Sequence, residues 1–463
     1  SFFGRINYNF NDRYLFQFTF REDGSSKFSS DNRWGFFPSV AVGWRISEEP
    51  FFPKNSVVSN LKFRASWGQL GNENALGKYD FLARISSYND MYMGYVQGAG
   101  SNPWTGSIAR ALENRSLKWE TTDTKNIGFD FGLFGNHLNG NINYYINETR
   151  DLLITRRIAP SAGLDNPTLN VGKMRNQGFE LELNWNDKIS DFEYNVGFNI
   201  STIANKVVAL ANEDQTIYGV GLKYGTEHFP TQTKVGKPIG AFYLYQADGI
   251  FQSLEEVQAH KNSKGELLQP NAQPGDVRFK DMNGDGVIDE DDKTYSGTGI
   301  AKVEANLNLG ASYKGFDFSA VIGSAFGNKL YNGIRYYYEG MNSGSNFLKT
   351  TLNAWTPTNT KTDIPRAVFG DPNQNTREST RFLENGDFVR LRQVQLGYTL
   401  PKALSKHIYC ESIRFYVSAE NVFTITGYSG ANPEFSQGVL NSGVDRFTYP
   451  FSRSYTVGAQ VSF

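Results

Sequence analysis

The sequence predicts an all-β chain: an antiparallel, membrane-spanning β-barrel of which these residues form the C-terminal part, about thirteen strands, with long loops on one side. Three observations lead there. The first is strict alternation, clearest in the last ten residues. Tyr455, Val457, Ala459, Val461 and Phe463 are apolar, while Ser454, Thr456, Gly458, Gln460 and Ser462 are small or polar. A strand points successive side chains to opposite faces, so this segment has one apolar and one polar face. Its length suits the roughly 9–11 residues a tilted strand needs to cross hydrocarbon. The second is composition: 36 Phe, 25 Tyr and 46 Gly among 463 residues, only 20% charged, at a mean hydropathy of -0.47. Alternation produces this profile, since every apolar residue brings a polar neighbour. The third is the sorting of the connections into short and long.

In order, Phe2, Ile6, Tyr8 and Phe10 share a face, and Asn11-Asp12-Arg13 turns into Tyr14, Phe16, Phe18 and Phe20. Strands with Val40, Val42, Trp44 and Ile46, then Leu61, Phe63, Ala65 and Trp67, follow. Ile127, Phe129, Phe131 and Leu133 turn at Gly135-Asn136-His137 into Leu138, Ile142, Tyr144 and Ile146. Phe179, Leu181, Leu183 and Trp185 turn across Asp187 to Asp191 into Tyr194, Val196, Phe198 and Ile200. Ala305 to Tyr313 turns at Lys314-Gly315 into Phe316, Phe318, Ala320 and Ile322. Phe388 to Leu400 slips phase once near Arg392-Gln393, the mark of a β-bulge. Ile413, Phe415, Val417 and Ala419 precede the final strand.

Short turns alternate with long connections: Gly71 to Lys118, Asp151 to Arg175, Val208 to Lys302, Asn328 to Gly386 and Thr424 to Pro450. Outer-membrane barrels have short periplasmic turns and longer extracellular loops, whereas a soluble sandwich has no reason to sort its loops. The last strand leaves a long loop, so it runs inward, and counting back places Ser1 on the outer side. An odd strand number that starts outside predicts further strands upstream, because open edges in lipid leave backbone groups unpaired. A plugged transporter barrel of about 22 strands would lack about nine strands and the plug. The expectation is one continuous region, 1–463, with the N-terminal extension, plug and first strands elsewhere.

Other classes fall away. No run reaches the roughly 18 apolar residues of a membrane helix. A net charge of -1 without a basic block makes nucleic acid an unexpected partner. Cys410 is the single cysteine, so no intramolecular disulfide can form. The four histidines show no metal-ligand spacing.

Phe3-Gly4-Arg5-Ile6-Asn7-Tyr8, Arg21 to Phe28 (REDGSSKF), Phe37 to Trp44 (FPSVAVGW), Leu61 to Asn72, Leu117 to Phe134, Val171 to Leu183, Val235 to Gln252, Gly275 to Asp292 and Phe388 to Pro401 follow one another in an order that resembles the SusC/RagA family of TonB-dependent outer-membrane transporters of Bacteroidota. The resemblance runs from Ser1 to Phe463. It implies a barrel of about 22 strands, location in the outer membrane, and a terminal aromatic, Phe463, read as a barrel-insertion signal. It also implies uptake of oligosaccharides or oligopeptides with a SusD-like surface lipoprotein, and a TonB contact through the upstream part.

One loop carries recognisable chemistry. Asp281 to Asp292 (DMNGDGVIDEDD) has the spacing of a calcium loop, with Asp281, Asn283, Asp285, the Val287 carbonyl, Asp289 and Asp292 as ligands and Gly286 at the sharp turn. Position 12 is Asp where the helix-loop-helix version has Glu; a solvated acidic turn is the plain alternative. A structural Ca²⁺ is the expected cofactor. Tyr336, Tyr337, Tyr338, Trp104 and Trp355 sit on long loops, where aromatic faces could stack on sugars or peptide side chains or simply pack the loop. Glu180 and Glu182 share one polar strand face, which suits a polar lumen better than an acid-base pair. The glycines near Gly94–Gly106 and Gly323–Gly327 lack the strand-to-helix context of a phosphate loop. With no nucleophile, base and orienter set, no enzyme is expected. The rival readings are a passive porin or adhesin barrel, and a secreted calcium-binding, β-rich glycan-binding protein.

Overall fold

In the computed structural model, all residues are described except 54–56, 89–105, 157, 212–214, 225, 342–345, 408 and 436. The chain divides into two compact units. The first holds Ser1–Glu182, Ala204–Ile217 and Lys234–Gly236; the second holds Leu183–Ile203, Tyr218–Thr233 and Lys237–Phe463.

The first unit contains β1 (Phe2–Phe10), β2 (Tyr14–Gly24), β3 (Trp34–Arg45), β4 (Val58–Asn72), β5 (Glu120–Leu133) and β6 (Leu138–Arg150). Each pairs antiparallel with the next, as in Phe16↔Val42 and Phe63↔Phe129. The long strand β7 (Lys173–Ile189) begins here and ends in the second unit. The second unit continues with β8 (Phe192–Thr202), β9 (Val303–Tyr313), β10 (Phe316–Phe326), β11 (Phe388–Thr399), β12 (Ser412–Thr426) and β13 (Ser454–Ser462). These also pair antiparallel in chain order. All of the expected membrane-length strands are present among the described residues.

The turns follow from local chemistry. Asn11 and Asp12 both have positive φ, as do Lys314 and Gly315, which is what two-residue turns between right-twisted strands require. The slip expected near Arg392 is a register shift between Leu391 and Gln393. One turn is tighter than expected: β7 runs to Ile189 and β8 begins at Phe192, leaving only Ser190-Asp191. The connection after β11 holds a short helix, α1 (Lys402–His407), that alternation could not announce. No helix among the described residues is long and apolar enough to cross a membrane.

The apolar strand faces are exposed: Ile127, Phe129 and Ile142 in the first unit, and Leu396, Phe415, Val417 and Val457 in the second. Rows of this kind mark a surface covered by something apolar, here lipid. The opposite face is polar and internally bonded. Asp130 pairs with Arg64 at 2.7 Å and Lys62 at 3.5 Å. Arg64 donates to Asn143 at 3.0 Å, Asn143 to Asn141 at 2.9 Å, and Asn141 to Glu182 at 3.0 Å. Glu182 therefore serves a wall network, as the polar-lumen reading expects. Gly128 makes room for it, since a Cβ there would come within 2.2 Å of the Asn143 amide oxygen.

With lipid on one strand face and polar groups on the other, the barrel wall cannot supply an apolar core, and the cores lie in the loops. In the first unit, Phe28, Leu76, Leu117 and Leu153 pack together under Trp119 and Phe81. In the second, Leu222, Phe242, Leu244, Tyr331, Tyr336, Phe382 and Val444 are all fully buried in one cluster. Short strands frame it: Ala241–Leu244 pairs with Thr231–Thr233 and Thr294–Thr298, and Lys329–Asn332 lies between Leu383–Asn385 and Val444–Asp445.

Candidate functional site in the long loops

The loops of the second unit are tied by buried polar hubs. Asp276 is fully buried at the entry to strand Val277–Phe279. It accepts from Arg366 Nε at 2.8 Å and Nη2 at 3.1 Å, from Asn375 at 3.0 Å and from the Gln273 amide at 2.9 Å. Asn373 and Gln269 complete the hub on the Val277 carbonyl. Residues some ninety positions apart in sequence are thus bonded across one carboxylate. A second hub joins Lys293 to Glu378 at 2.5 Å and to Glu290 at 2.6 Å, with His228 against the other Glu378 oxygen. Burial opposes the charge on Glu378, but the His228 hydrogen bond and the Lys293 ammonium outweigh it and hold the carboxyl below its usual range. Burial likewise opposes the charge on Lys293, and the two carboxylates raise it above the usual lysine range.

The residues of this second hub line a cleft of about 870 Å³, within the roughly 300–1,000 Å³ of ordinary ligand sites. Tyr218, Phe229, Tyr245, Gln374 and Arg377 line it too. The Arg377 guanidinium lies over the Tyr245 and Phe279 rings at 4.8 and 4.7 Å. None of these cleft residues was singled out from the sequence. They come from four separate stretches of loop, around Tyr218–Phe229, Tyr245, Glu290–Lys293 and Gln374–Glu378, and no local spacing relates them.

The acidic loop adopts the sharp turn its sequence demands: Gly284 and Gly286 both have positive φ. Its oxygens are held by loop amides. Asp281 accepts from Gly284 N at 2.6 Å and Gly286 N at 2.9 Å, and Asn283 Oδ1 from Asp285 N at 2.9 Å. Asp285 accepts from Val287 N and Asp289 from Asp291 N, each at 2.9 Å. Asp292, fully buried, takes the amides of Met282 at 2.6 Å, Asn283 at 3.3 Å and Asp289 at 2.8 Å. The all-oxygen donor set suits a hard cation in chemistry. Yet no three acidic, histidine or cysteine side chains among the described residues are gathered as a metal would hold them.

The aromatic candidates separate. Tyr336 is fully buried in the loop core, and Trp355 is 8% exposed, donating to Gln252 at 2.9 Å and packing on Gly275. A Cβ at Gly275, where φ is +92°, would lie 2.4 Å from the Trp355 ring. Placed so, neither presents a face to a substrate; both stabilise the loops, because aromatic area is the largest apolar contribution available there. Tyr337 is half-buried, its hydroxyl accepting from the Lys223 amide at 3.1 Å, and Tyr338 packs edge-on against Phe447. Trp104 lies outside the described residues. Phe463 follows β13 and is exposed.

Comparison with known proteins places the whole chain. Residues 1–422 match the family model for TonB dependent receptor-like β-barrels. The chain is 31% identical over 472 residues to TonB-dependent receptor P3 of Formosa agariphila, covering 100% of this chain and 45% of that protein. It is 31% identical over 474 residues to TonB-dependent receptor SusC of Bacteroides thetaiotaomicron, covering 100% of this chain and 43% of that one. A solved structure of the RagAB peptide importer in a closed-closed state superposes with a TM-score of 0.80 at 27% identity, over 100% of this chain and 47% of that chain. The chain therefore spans a little under half the length of the relatives it matches.

Proposed function

Since the chain belongs to the TonB dependent receptor-like β-barrel family of outer-membrane proteins, we propose that it is the C-terminal barrel region of a SusC/RagA-type nutrient importer. The observation that supports this best is the superposition of all of this chain on 47% of the RagAB importer chain, joined to loops that form a folded body with its own core and cleft. Such loops are built to capture, and a passive pore has no need of them. The imported material is an oligosaccharide or oligopeptide, taken up with a SusD-like surface lipoprotein and driven by TonB acting on the upstream part. The family and the exposed apolar strand faces leave no place for a secreted, soluble glycan-binding protein.

The test is uptake of fluorescent oligosaccharides and oligopeptides by cells carrying the full-length gene, with and without a working TonB. Energy-dependent uptake lost without TonB is the expected result. Uptake that persists without TonB refutes the importer in favour of a passive pore. Purification of the full-length protein from native membranes in mild detergent tests the partner: a surface lipoprotein in stoichiometric amount is expected, and its reproducible absence removes it from the proposal.

The acidic loop is proposed to hold Ca²⁺, with Asp281, Asn283, Asp285, the Val287 carbonyl, Asp289 and Asp292 as the ligands. The ion would order the loop and supply no catalytic chemistry.

A further inference from the structure

One stretch of the cleft on Lys293 and Glu378 is a turn held under backbone strain. Gly370, Asp371 and Gln374 all have positive φ, at 77°, 47° and 54°. Asp371 tolerates this conformation through its short polar side chain, whereas Gln374 has no such allowance. The turn is fixed by the Asp371 carboxylate, 9% exposed, which accepts from the Asn375 amide at 2.7 Å, the Thr376 amide at 2.9 Å and the Thr376 hydroxyl at 2.6 Å. It sets Gln374 and Arg377 into the lining together, with Arg377 Nη2 donating to Gln374 Oε1 at 3.0 Å. Strained non-glycine residues over-determined by their surroundings are characteristic of ligand clamps.

The buried charges of the cleft are already answered. Lys293 lies between Glu378 and Glu290, and Glu378 also meets His228. Asp371 is saturated by its own turn, and the Arg377 guanidinium lies over two aromatic rings. The Glu290 side chain is 76% exposed and Glu227 is exposed as well, so water answers the charge that is left on them. What the cleft offers a ligand is therefore hydrogen bonding and ring surface. Glu227 and Glu290 only accept, while the Arg377 guanidinium only donates. Gln374, its oxygen taken by Arg377, keeps its amide nitrogen as a donor. A hydroxyl both donates and accepts, so neighbouring hydroxyls can bridge such groups. A peptide unit, whose N–H and C=O point opposite ways, answers one side at a time. Tyr218, 46% exposed and 5.4 Å from the Phe229 ring, adds an apolar face with a polar tip.

We propose that this cleft binds an uncharged oligosaccharide: the C–H face of a sugar ring lies on Tyr218 and Phe229, and its hydroxyls bridge Gln374 and Arg377 to Glu290. An acidic sugar brings an anion beside Glu227, Glu290 and Glu378. A lysine-rich peptide brings an ammonium for which the paired buried carboxylates have no room. As a statement about cargo, this rests on the importer reading and chooses between its two substrate classes; as a statement about binding, it stands alone.

The test uses the full-length transporter purified in detergent and titrated calorimetrically with three neutral trisaccharides (maltotriose, cellotriose and laminaritriose), with trigalacturonate, and with trialanine and trilysine. At least one neutral trisaccharide is expected to bind more tightly than trigalacturonate and both peptides. Tyr218→Leu, which keeps apolar bulk but loses the flat face, and Gln374→Gly, which fits the positive φ but loses the amide, are each expected to weaken it about tenfold. Glu255→Gln, on the short surface helix Leu254–Ala259, leaves binding unchanged. Each variant is first checked for heat-modifiable migration on a gel, which reports an intact barrel. The proposal is overturned if no neutral trisaccharide binds, if trigalacturonate or either peptide binds as tightly, or if binding ignores both cleft substitutions. TonB-dependent uptake is scored separately. A protein that binds a trisaccharide in this cleft but imports nothing refutes the importer and leaves the site, whereas sugar uptake that ignores both substitutions refutes the site and leaves the importer.

Discussion

Asp276→Ala is the sharpest test of how the loops are held. The wild-type carboxylate is fully buried and takes four hydrogen bonds, two of them from one guanidinium. Removing it strands Arg366, the Asn375 amide and the Gln273 N–H. Breaking a buried pair by deleting one partner costs about 3–5 kcal/mol. Taking about 3 kcal/mol as the local loss, amide exchange in the adjacent strand Val277–Phe279 should accelerate on the order of a hundredfold, since each factor of ten is about 1.4 kcal/mol. Hydrogen exchange read by mass spectrometry on the detergent-solubilised full-length protein measures this peptide by peptide, with β9 to β12 as the internal control. Because all four hydrogen bonds to Asp276 come from loop residues, exchange in the wall strands should change little. The double variant Asp276→Ala/Arg366→Ala should be less destabilised than the sum of the single variants, by about 0.5–3 kcal/mol. Acceleration of less than about threefold in Val277–Phe279, or strict additivity in the cycle, would refute the hub as the element that joins these loops.

Three further outcomes are expected. The Glu378 carboxyl is held below its ordinary value of 4.5, so its contribution is present above that pH and is lost as pH falls through the folded-state value; Lys293 is raised above 10.5, so its share is present below that pH and lost as pH rises through its own. Protease resistance of the loops should therefore be flat across neutral pH and fall in acid below about 4.5, less steeply in Glu378→Gln, and a fall already at pH 6 would contradict this assignment. Calcium added to chelator-treated protein should slow exchange in residues 281–292, with the response abolished in Asp285→Ala; unchanged exchange at millimolar calcium removes the metal proposal. Gly128→Val should lower barrel assembly yield, because a Cβ there meets Asn143 Oδ1 at 2.2 Å and the Ile142 carbonyl at 2.5 Å; normal heat-modifiable protein at wild-type yield would show that the wall relaxes around it.

The strands were legible because their signal is local. Side chains alternate with a period of two, and lipid on one side and polar groups on the other write that period directly into residues such as those from Tyr455 to Phe463. The turns at Asn11-Asp12 and Lys314-Gly315 were legible for the same reason, since positive φ selects its residues within a two-residue window. The Leu391–Gln393 slip showed as a break in phase.

The loops were less legible because their signals are not local. Tyr336 and Trp355 look like exposed aromatics on long polar segments, yet they are buried by Phe382, Val444 and Gly275, partners that sequence distance conceals. The cleft on Lys293, Glu378 and His228 and the Asp276 hub each join segments tens of residues or more apart. The sequence by itself determined the class of fold, the strands, the tight turns and the acidic loop's shape, because each follows from the period or φ preference of neighbouring residues. Which polar groups are buried, which aromatics face solvent and which acceptors lack a partner was decided only by tertiary structure, because burial and charge pairing depend on what long-range folding brings alongside.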